Sequence, residues 1–165
     1  MRIGIGIDTH AFDLRTGLKL GIVLGGILIP HNHKIIAHSD GDVVLHAITD
    51  ALIGSVAEGS IGQHFPPNDL QWQGANSEIF VITAYKIVKQ RGYTLSNIDL
   101  TIICEAPKIG PYMSSMKEKI ANILGVDPNQ INVKATSNEK LGFLGEGRGI
   151  TVHAICCVTQ NVQKH

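Results

Sequence analysis

RIGIGIDTHAF, residues 2–12, is an apolar run punctuated by glycine that leads into Asp8, one intervening residue and His10. MRIGIGID, 1–8, reads as a first strand. Side chains alternate faces along a strand, so Asp8 and His10 point the same way. A strand ending in a polar turn is one use of such a stretch. Half of a metal site is another, and it needs a third ligand from elsewhere in the chain.

The chain has 165 residues, the size of one domain, and we take 1–165 as a single domain. At 44% hydrophobic and 17% charged residues, it can bury a full core. Fourteen basic residues balance 14 acidic ones, with no Lys/Arg run and 5% aromatics. That excludes a general nucleic-acid binder, whose affinity needs clustered positive charge. The N-terminus goes straight into RIGIGID without a signal-peptide pattern. The longest apolar stretch, LGIVLGGILIP, is too short to span a bilayer and is broken by Gly25-Gly26. Cys104, Cys156 and Cys157 are odd in number, and two are adjacent. They fit reduced core thiols, so a cytoplasmic protein is expected, with no membrane partner.

LKLGIVLGGILIP, 18–30, predicts a hairpin around Gly25-Gly26, stopped by Pro30. HNHKIIA reads as a loop or short extension. Capping residues and helical apolar spacing predict a helix from Asp40 to Glu58, ended by Gly59. SIGQHFPPNDLQWQGAN is a long loop of the kind that is often functional. SEIFVITAYKIVKQRG is a second helix capped by Ser77 or Asn76, and GPYMSSMKEKIANILG a third, with Pro111 in its first turn. LSNIDLTIICEAP, INVKAT and ITVHAICCVTQ are strands, and SNEKLGFLGEGRG is a glycine-rich loop. The pattern is α+β: a mixed sheet covered on one face by helices. LTIICEA and ITVHAICCV are apolar on both faces, which suggests oligomer contacts through the sheet.

HSDGDVVLHAITD, 38–50, is the densest polar cluster. Asp42, His46 and Asp50 recur every four residues and share a helix face. Asp40 and Asp42 also suit helix capping without any chemistry. His46 lies mid-helix among apolar neighbours, where a satisfied core histidine is the ordinary outcome. With Asp8 and His10 it would instead complete a His₂Asp site, suited to Zn²⁺ with an open fourth position. His38 sits near the helix start, where anions are drawn. A second polar centre, KATSNEKLGF, ends a strand in Thr136, Ser137 and Asn138. Its hydroxyls and amides suit phosphate oxygens, and Glu139 suits Mg²⁺. Lys108, in a turn between Pro107 and Gly110, offers another phosphate or nucleotide contact, and a plain polar loop is the ordinary alternative for each of these two stretches.

GIDTHAF, GGILIP, AHSDGDVVLHAITDALIG, IGQHFP, EAPKIGPY, VKATSNEKLGF and GRGI occur together in one order and spacing. Over essentially its whole length the chain resembles the 2-C-methyl-D-erythritol 2,4-cyclodiphosphate synthase family of the non-mevalonate isoprenoid pathway. D-x-H followed by H-S-D-G-D-x-x-x-H carries most of that resemblance.

The resemblance implies cyclisation of 4-diphosphocytidyl-2-C-methyl-D-erythritol 2-phosphate to the 2,4-cyclodiphosphate with release of CMP. It implies Zn²⁺ or another divalent cation at Asp8, His10 and His46, and Mg²⁺ or Mn²⁺ held with Glu139 at the substrate diphosphate. His38 and Ser137 would steady the transition state. In the first half of the chain, Asp8, Thr9 and His10, then His38 and Ser39, then Ser60, Ile61, Gly62, Phe65 and Asp69 would meet substrate. CEAPKIG would seat the cytidine end through Cys104, Pro107, Lys108, Ile109 and Gly110. ATSNEKLGF would add Thr136, Ser137, Asn138, Glu139 and Phe143. Family members are homotrimers with active sites between subunits.

The chain departs from the family pattern at Ser60, where relatives often carry Asp, and at Pro67, where FPD is usual. Ser137 replaces a common Thr, and Glu146 and Arg148 stand where many relatives have Arg and Glu. Two other functions fit the same residues. A zinc-dependent phosphohydrolase would activate water, with Asp50 or His38 as base. A metal- or nucleotide-binding assembly protein would not turn over substrate at all.

Overall fold

The computed structural model describes residues 1–15 and 21–161. Its core is a five-stranded mixed sheet with helices on one face. The first strand, β1, spans Arg2–Asp13 and so runs five residues past Asp8, the end expected from the sequence. Two short strands, β2 (Ile22–Leu24) and β3 (Ile27–Ile29), form a separate hairpin. Gly25 and Gly26 both have positive φ, +58° and +74°, as a tight hairpin turn needs. Residues 18–20 of the expected hairpin lie outside the described residues. Next come β4 (Lys34–Ile35), the helix α1 (Val43–Ser55), the short α2 (Ile61–His64) and α3 (Glu78–Gln90). The chain closes with β5 (Tyr93–Ile103), α4 (Met113–Leu124), β6 (Ile131–Thr136), the one-turn α5 (Gly142–Gly145) and β7 (Gly149–Gln160).

The sheet order is β4-β1-β7-β5-β6. Only β5 and β6 pair in parallel, with α4 between them. The long strand β7 is central and fully apolar on the helix face, where Ile150, Val152, Ala154, Cys156 and Val158 are buried. Leu45, Ile48 and Leu52 of α1 and Leu100 and Ile102 of β5 complete that core.

Four expectations are corrected. Helix α1 starts at Val43 because the Asp42 side chain caps it, accepting from the Val44 and Leu45 N–H groups. It ends at Ser55, before Gly59, and Ala57 takes a left-handed φ of +60°. The stretch 60–76 is not a bare loop: it holds α2 and a 3-10 turn at Leu70–Trp72. The glycine-rich loop before β7 likewise contains α5. Pro111 belongs to a 3-10 turn, Gly110–Tyr112, that leads into α4, and Gly125 closes that helix at φ +67°.

The face of the sheet away from the helices carries an apolar stripe. Ile3, Ile5 and Ile7 of β1 are 64, 57 and 54% exposed, and Ile155, paired with Ile5, is 46% exposed. The sequence placed this second apolar face on β5 and β7; β1 supplies more of it. In β1 the residues turned to the helices are Gly4 and Gly6, then Asp8 and His10.

Candidate functional site

Asp8 and His10 come from one face of β1, and His46 comes from the middle of α1. Asp8 Oδ2 lies 3.1 Å from His10 Nε2 and 3.0 Å from His46 Nδ1. Within the described residues, these three side chains form a group whose donor atoms all lie within 4.8 Å of one another. His10 presents Nδ1 to the Ile36 carbonyl oxygen at 2.9 Å. A carbonyl only accepts, so we place the proton on Nδ1 and aim Nε2 at the group's centre. The far nitrogen of His46, Nε2, lies 2.8 Å from Ser77 Oγ and 3.1 Å from Ser39 Oγ.

Two imidazole nitrogens facing one carboxylate oxygen need positive charge among them. Without a metal, protons supply it. Burial works against a charged Asp8, but hydrogen bonds and charge from His10 and His46 outweigh it and hold the carboxyl well below its usual range. The hydrogen bond from Asp8 raises His10 above its ordinary value, burial opposes this, and the Ile36 carbonyl adds to the rise. A divalent cation would replace these protons. Two nitrogens, one oxygen and outer hydrogen bonds to both far nitrogens fit Zn²⁺ or a similar ion with a position left open.

The group opens onto a cavity of about 210 Å³ lined by His10, His38, Ser39, His46, Ile61, Gly62, Phe65, Pro67, Trp72 and Phe80. Five residues expected to meet substrate or metal in this region therefore share one cavity with the metal group: His38, Ser39, Ile61, Gly62 and Phe65. Its back wall is aromatic: Phe65, Trp72 and Phe80 pack with ring centroids 4.6–5.6 Å apart. Pro67, Trp72 and Phe80 were not singled out as site residues by sequence reasoning. Aromatic residues at helical spacing read as core, and nothing local marks a core wall that also borders a cavity.

The other expected residues lie elsewhere. Thr9 sits on the opposite face of β1, with its hydroxyl 2.9 Å from that of Thr151. Ser60 heads α2, where its N–H donates to Gln63 Oε1. Asp69 folds onto its own turn, accepting from the Gln71 N–H. Asp42 and Asp50, expected on the helix face of His46, do not join the metal group. Asp42 is buried and accepts from the N–H groups of Gly25, Gly26, Val44 and Leu45, and Asp50 accepts from the Ile61 N–H.

A second cavity, at the ends of β5 and β6, collects Cys104, Pro107, Lys108, Ile109, Gly110, Thr136 and Ser137. Ser137 Oγ donates to Glu139 Oε1 at 2.8 Å, and the Asn138 N–H donates to Glu105. Phe143 borders a separate cleft with Arg148 and the end of β1. Burial pushes the Cys104 and Cys156 thiols up to about 11, so neither is a ready nucleophile.

Both cavities lie at the same end of the sheet: His10 pairs with Ile150, Thr151 with Ile103, and Ile103 with Thr136. β7 stands between β1 and the two strands that end at the second cavity. At a strand spacing of about 4.8 Å, the two to three steps from β1 to β5 and β6 separate the two halves by roughly 10–14 Å.

This arrangement defines an α+β domain with a candidate His₂Asp metal centre at one end of its sheet. A model of the YgbB family matches residues 1–159, and the chain belongs to that family. It is 52% identical over 161 residues to the 2-C-methyl-D-erythritol 2,4-cyclodiphosphate synthase of Ehrlichia chaffeensis, covering 95% of this chain and 93% of that protein. Among solved structures, IspF of Plasmodium falciparum in complex with CDP superposes with a TM-score of 0.84 at 32% identity, covering 98% and 97% of the two chains. The bifunctional IspDF of Campylobacter jejuni superposes with a TM-score of 0.90 at 36% identity, covering 97% of this chain and 42% of that one.

Proposed function

We propose that the chain cyclises 4-diphosphocytidyl-2-C-methyl-D-erythritol 2-phosphate to the 2,4-cyclodiphosphate and releases CMP, as a phosphorus–oxygen lyase of isoprenoid precursor synthesis. The observation that carries this reading is the Asp8–His10–His46 group beside its cavity, in a chain 52% identical to a synthase named for this product.

In the reaction an oxygen of the substrate's 2-phosphate forms a bond to the β-phosphorus, and the bond from that phosphorus to the bridging oxygen breaks. CMP leaves with that oxygen. Both reacting groups are anions, so charge neutralisation and orientation are the main demands. Holding the chain in a bent conformation can remove roughly 7–11 kcal/mol of barrier, as in oriented model reactions. No protein nucleophile is required.

Asp8, His10 and His46 would hold Zn²⁺, and Glu139 would help hold Mg²⁺ or Mn²⁺ with the diphosphate. Bound there, such cations supply neutralising charge for the phosphates. His38 and Ser39 reach the same cavity and orient phosphate oxygens from the protein side. Lys108, with Cys104, Pro107, Ile109 and Gly110, receives the cytidine end, and Ser137 and Thr136 face the phosphates beside it. The roughly 10–14 Å between the two halves supports a homotrimer in which one subunit's metal half meets its neighbour's cytidine half. The exposed isoleucine stripe supplies an apolar surface for that assembly. We place the protein in the cytoplasm as one catalytic domain; no helix among the described residues is long and apolar enough to cross a membrane.

The test is phosphorus NMR of the reaction with Zn²⁺ and Mg²⁺ present. A cyclic diphosphate appearing together with CMP is expected. Linear phosphate products would shift the reading to hydrolysis, and no turnover of this substrate would overturn both.

A further inference from the structure

His46 can bind a metal through Nδ1 only if its single proton sits on Nε2. Nε2 faces two serine hydroxyls, and a hydroxyl can donate or accept, so neither serine alone decides the tautomer. The decision lies one bond further out. Ser77 Oγ donates to Asp40 Oδ1 at 2.5 Å, and the same carboxylate accepts the Ser77 and Asp42 backbone N–H groups at 3.0 and 3.1 Å. A carboxylate with N–H donors on both oxygens can only accept, so the one hydroxyl proton of Ser77 is committed to Asp40. Toward His46 the Ser77 oxygen then offers only a lone pair.

We infer that Asp40 and Ser77 are positioning residues that fix the Nε2–H tautomer of His46 and so aim the Nδ1 lone pair at the metal position. The relay joins two helices: Asp40 precedes α1, Ser77 precedes α3, and His46 lies within α1. Ser77 is fully buried, which fits a polar side chain whose proton and lone pair are both in use. Ser39 differs. Its oxygen accepts the Gly41 N–H at 3.3 Å, and no carboxylate holds its proton. That hydroxyl is therefore free to turn toward a phosphate oxygen in the cavity that it lines.

The inference rests on the metal reading of the site proposed above. Its test is zinc affinity, measured by competition with a chromophoric chelator, alongside imidazole nitrogen NMR of the zinc-loaded protein, where His46 should carry its proton on Nε2 hydrogen-bonded to Ser77. Ser77→Ala is expected to weaken zinc binding about 10–100-fold, the usual effect of losing an outer partner of a metal-bound histidine. Asp40→Asn keeps the shape but can offer Ser77 a donor. It should free the Ser77 hydroxyl proton to face Nε2, remove the reason for Nε2 to carry the proton, and weaken zinc binding as well. Ser39→Ala should weaken zinc binding clearly less than Ser77→Ala, since Ser39 does not set the tautomer. Circular dichroism checks that each variant is folded, and Ser77→Ala stands alone if Asp40→Asn is not. Unchanged affinity in Ser77→Ala, or equal losses in Ser77→Ala and Ser39→Ala, would overturn the inference. An unaltered protein without zinc affinity would instead remove the metal reading, and the relay's purpose with it.

Discussion

Gly6 of β1 lies so close to Ala47 of α1 that a Cβ on the glycine would stand 2.0 Å from the Ala47 carbonyl oxygen. Gly4 meets Ala51 in the same way, also at 2.0 Å. Two residues of strand rise about 6.7 Å and four residues of helix about 6 Å, so both contacts are made at once. The helix backbone rests directly on the strand, antiparallel to it. Continuing the pattern brings Asp8 level with the first turns of α1, where His46 projects. The glycines of RIGIGID therefore set the height and register that bring a strand carboxylate within 3.0 Å of a helix imidazole.

Gly6→Ala should then damage stability and the metal group together. A methyl group cannot enter without lifting α1, and overpacking of this kind costs about 3 kcal/mol. Urea unfolding should show the loss in stability. Zinc titration of the folded fraction should show weaker binding, although no ligand has changed. A stable variant with full zinc affinity would mean that α1 is not held by this contact.

Asp8→Ala and His46→Ala each remove a ligand while leaving the core intact. Both side chains are only partly buried, so the chains should fold. Zinc affinity should fall by more than the roughly 10–100-fold expected for an outer-shell loss, and turnover should fall with it. Metal analysis after gel filtration, paired with activity, checks this. Full turnover without stoichiometric zinc would refute the ligand assignment.

Metal binding should also depend on pH through His10. In the metal-free protein Asp8 raises His10 above 6.5, so Nε2 holds a proton that zinc must displace. Apparent zinc affinity should climb as pH rises through that raised value and fall below it. Stability of the metal-free protein runs the other way. The raised pKa means the native state binds the proton more tightly, so this stabilisation is complete below about 6.5 and is lost as pH rises through the native value. Thermal melts of chelator-treated and zinc-loaded protein across this range should diverge with increasing pH.

Much of this site was legible in the sequence because two periodicities carry it. Period two along β1 puts Asp8 and His10 on one face, and the same alternation puts Thr9 on the other. Helical spacing buries Val44, Leu45 and Ile48 around His46, leaving a histidine in need of a partner. Asp42 and Asp50 share that spacing yet leave the site. One is drawn off by the Gly25-Gly26 turn and the other by the start of α2, contacts no periodicity encodes. Ser77 was legible only as a helix cap, because its partner His46 lies 31 residues away in sequence. The start of α1 shifted for a similar reason: Asp40 and Asp42 both suit a cap, and Asp42 is the one that accepts from the helix N–H groups.

Asp42 makes a separate prediction about stability. Burial pushes its carboxyl up to about 6, against the lowering effect of the N–H groups of Gly26, Leu45 and Gly25. The native state thus holds this proton more tightly than the unfolded chain, whose value is near 3.8. The sign is opposite to that of a salt-bridged aspartate: stability falls as pH rises from about 4 to 6, by on the order of 3 kcal/mol. Asp42→Asn should remove this slope while lowering stability at every pH, since its NH₂ meets backbone donors. Urea midpoints for both proteins at pH 4.5 and 7 give the comparison, and parallel pH profiles would contradict the assignment.

The proposed assembly can be tested without measuring rates. Ile5→Asp places a charge in the middle of the exposed isoleucine stripe, beside Ile155. The side chain faces away from the core, so the chain should fold, but as a monomer in sedimentation. It should also lose turnover, because neither half-site can reach its complement. Mixed refolding separates this from simple damage. His46→Ala and Lys108→Ala disable opposite halves, and each is inactive alone. If one site uses the metal half of one chain and the cytidine half of the next, random mixing leaves about a quarter of sites with both halves intact. If both halves come from one chain, no site is restored. Activity near a quarter of the unaltered level is the expected result, and none at all would place the whole site within a single subunit.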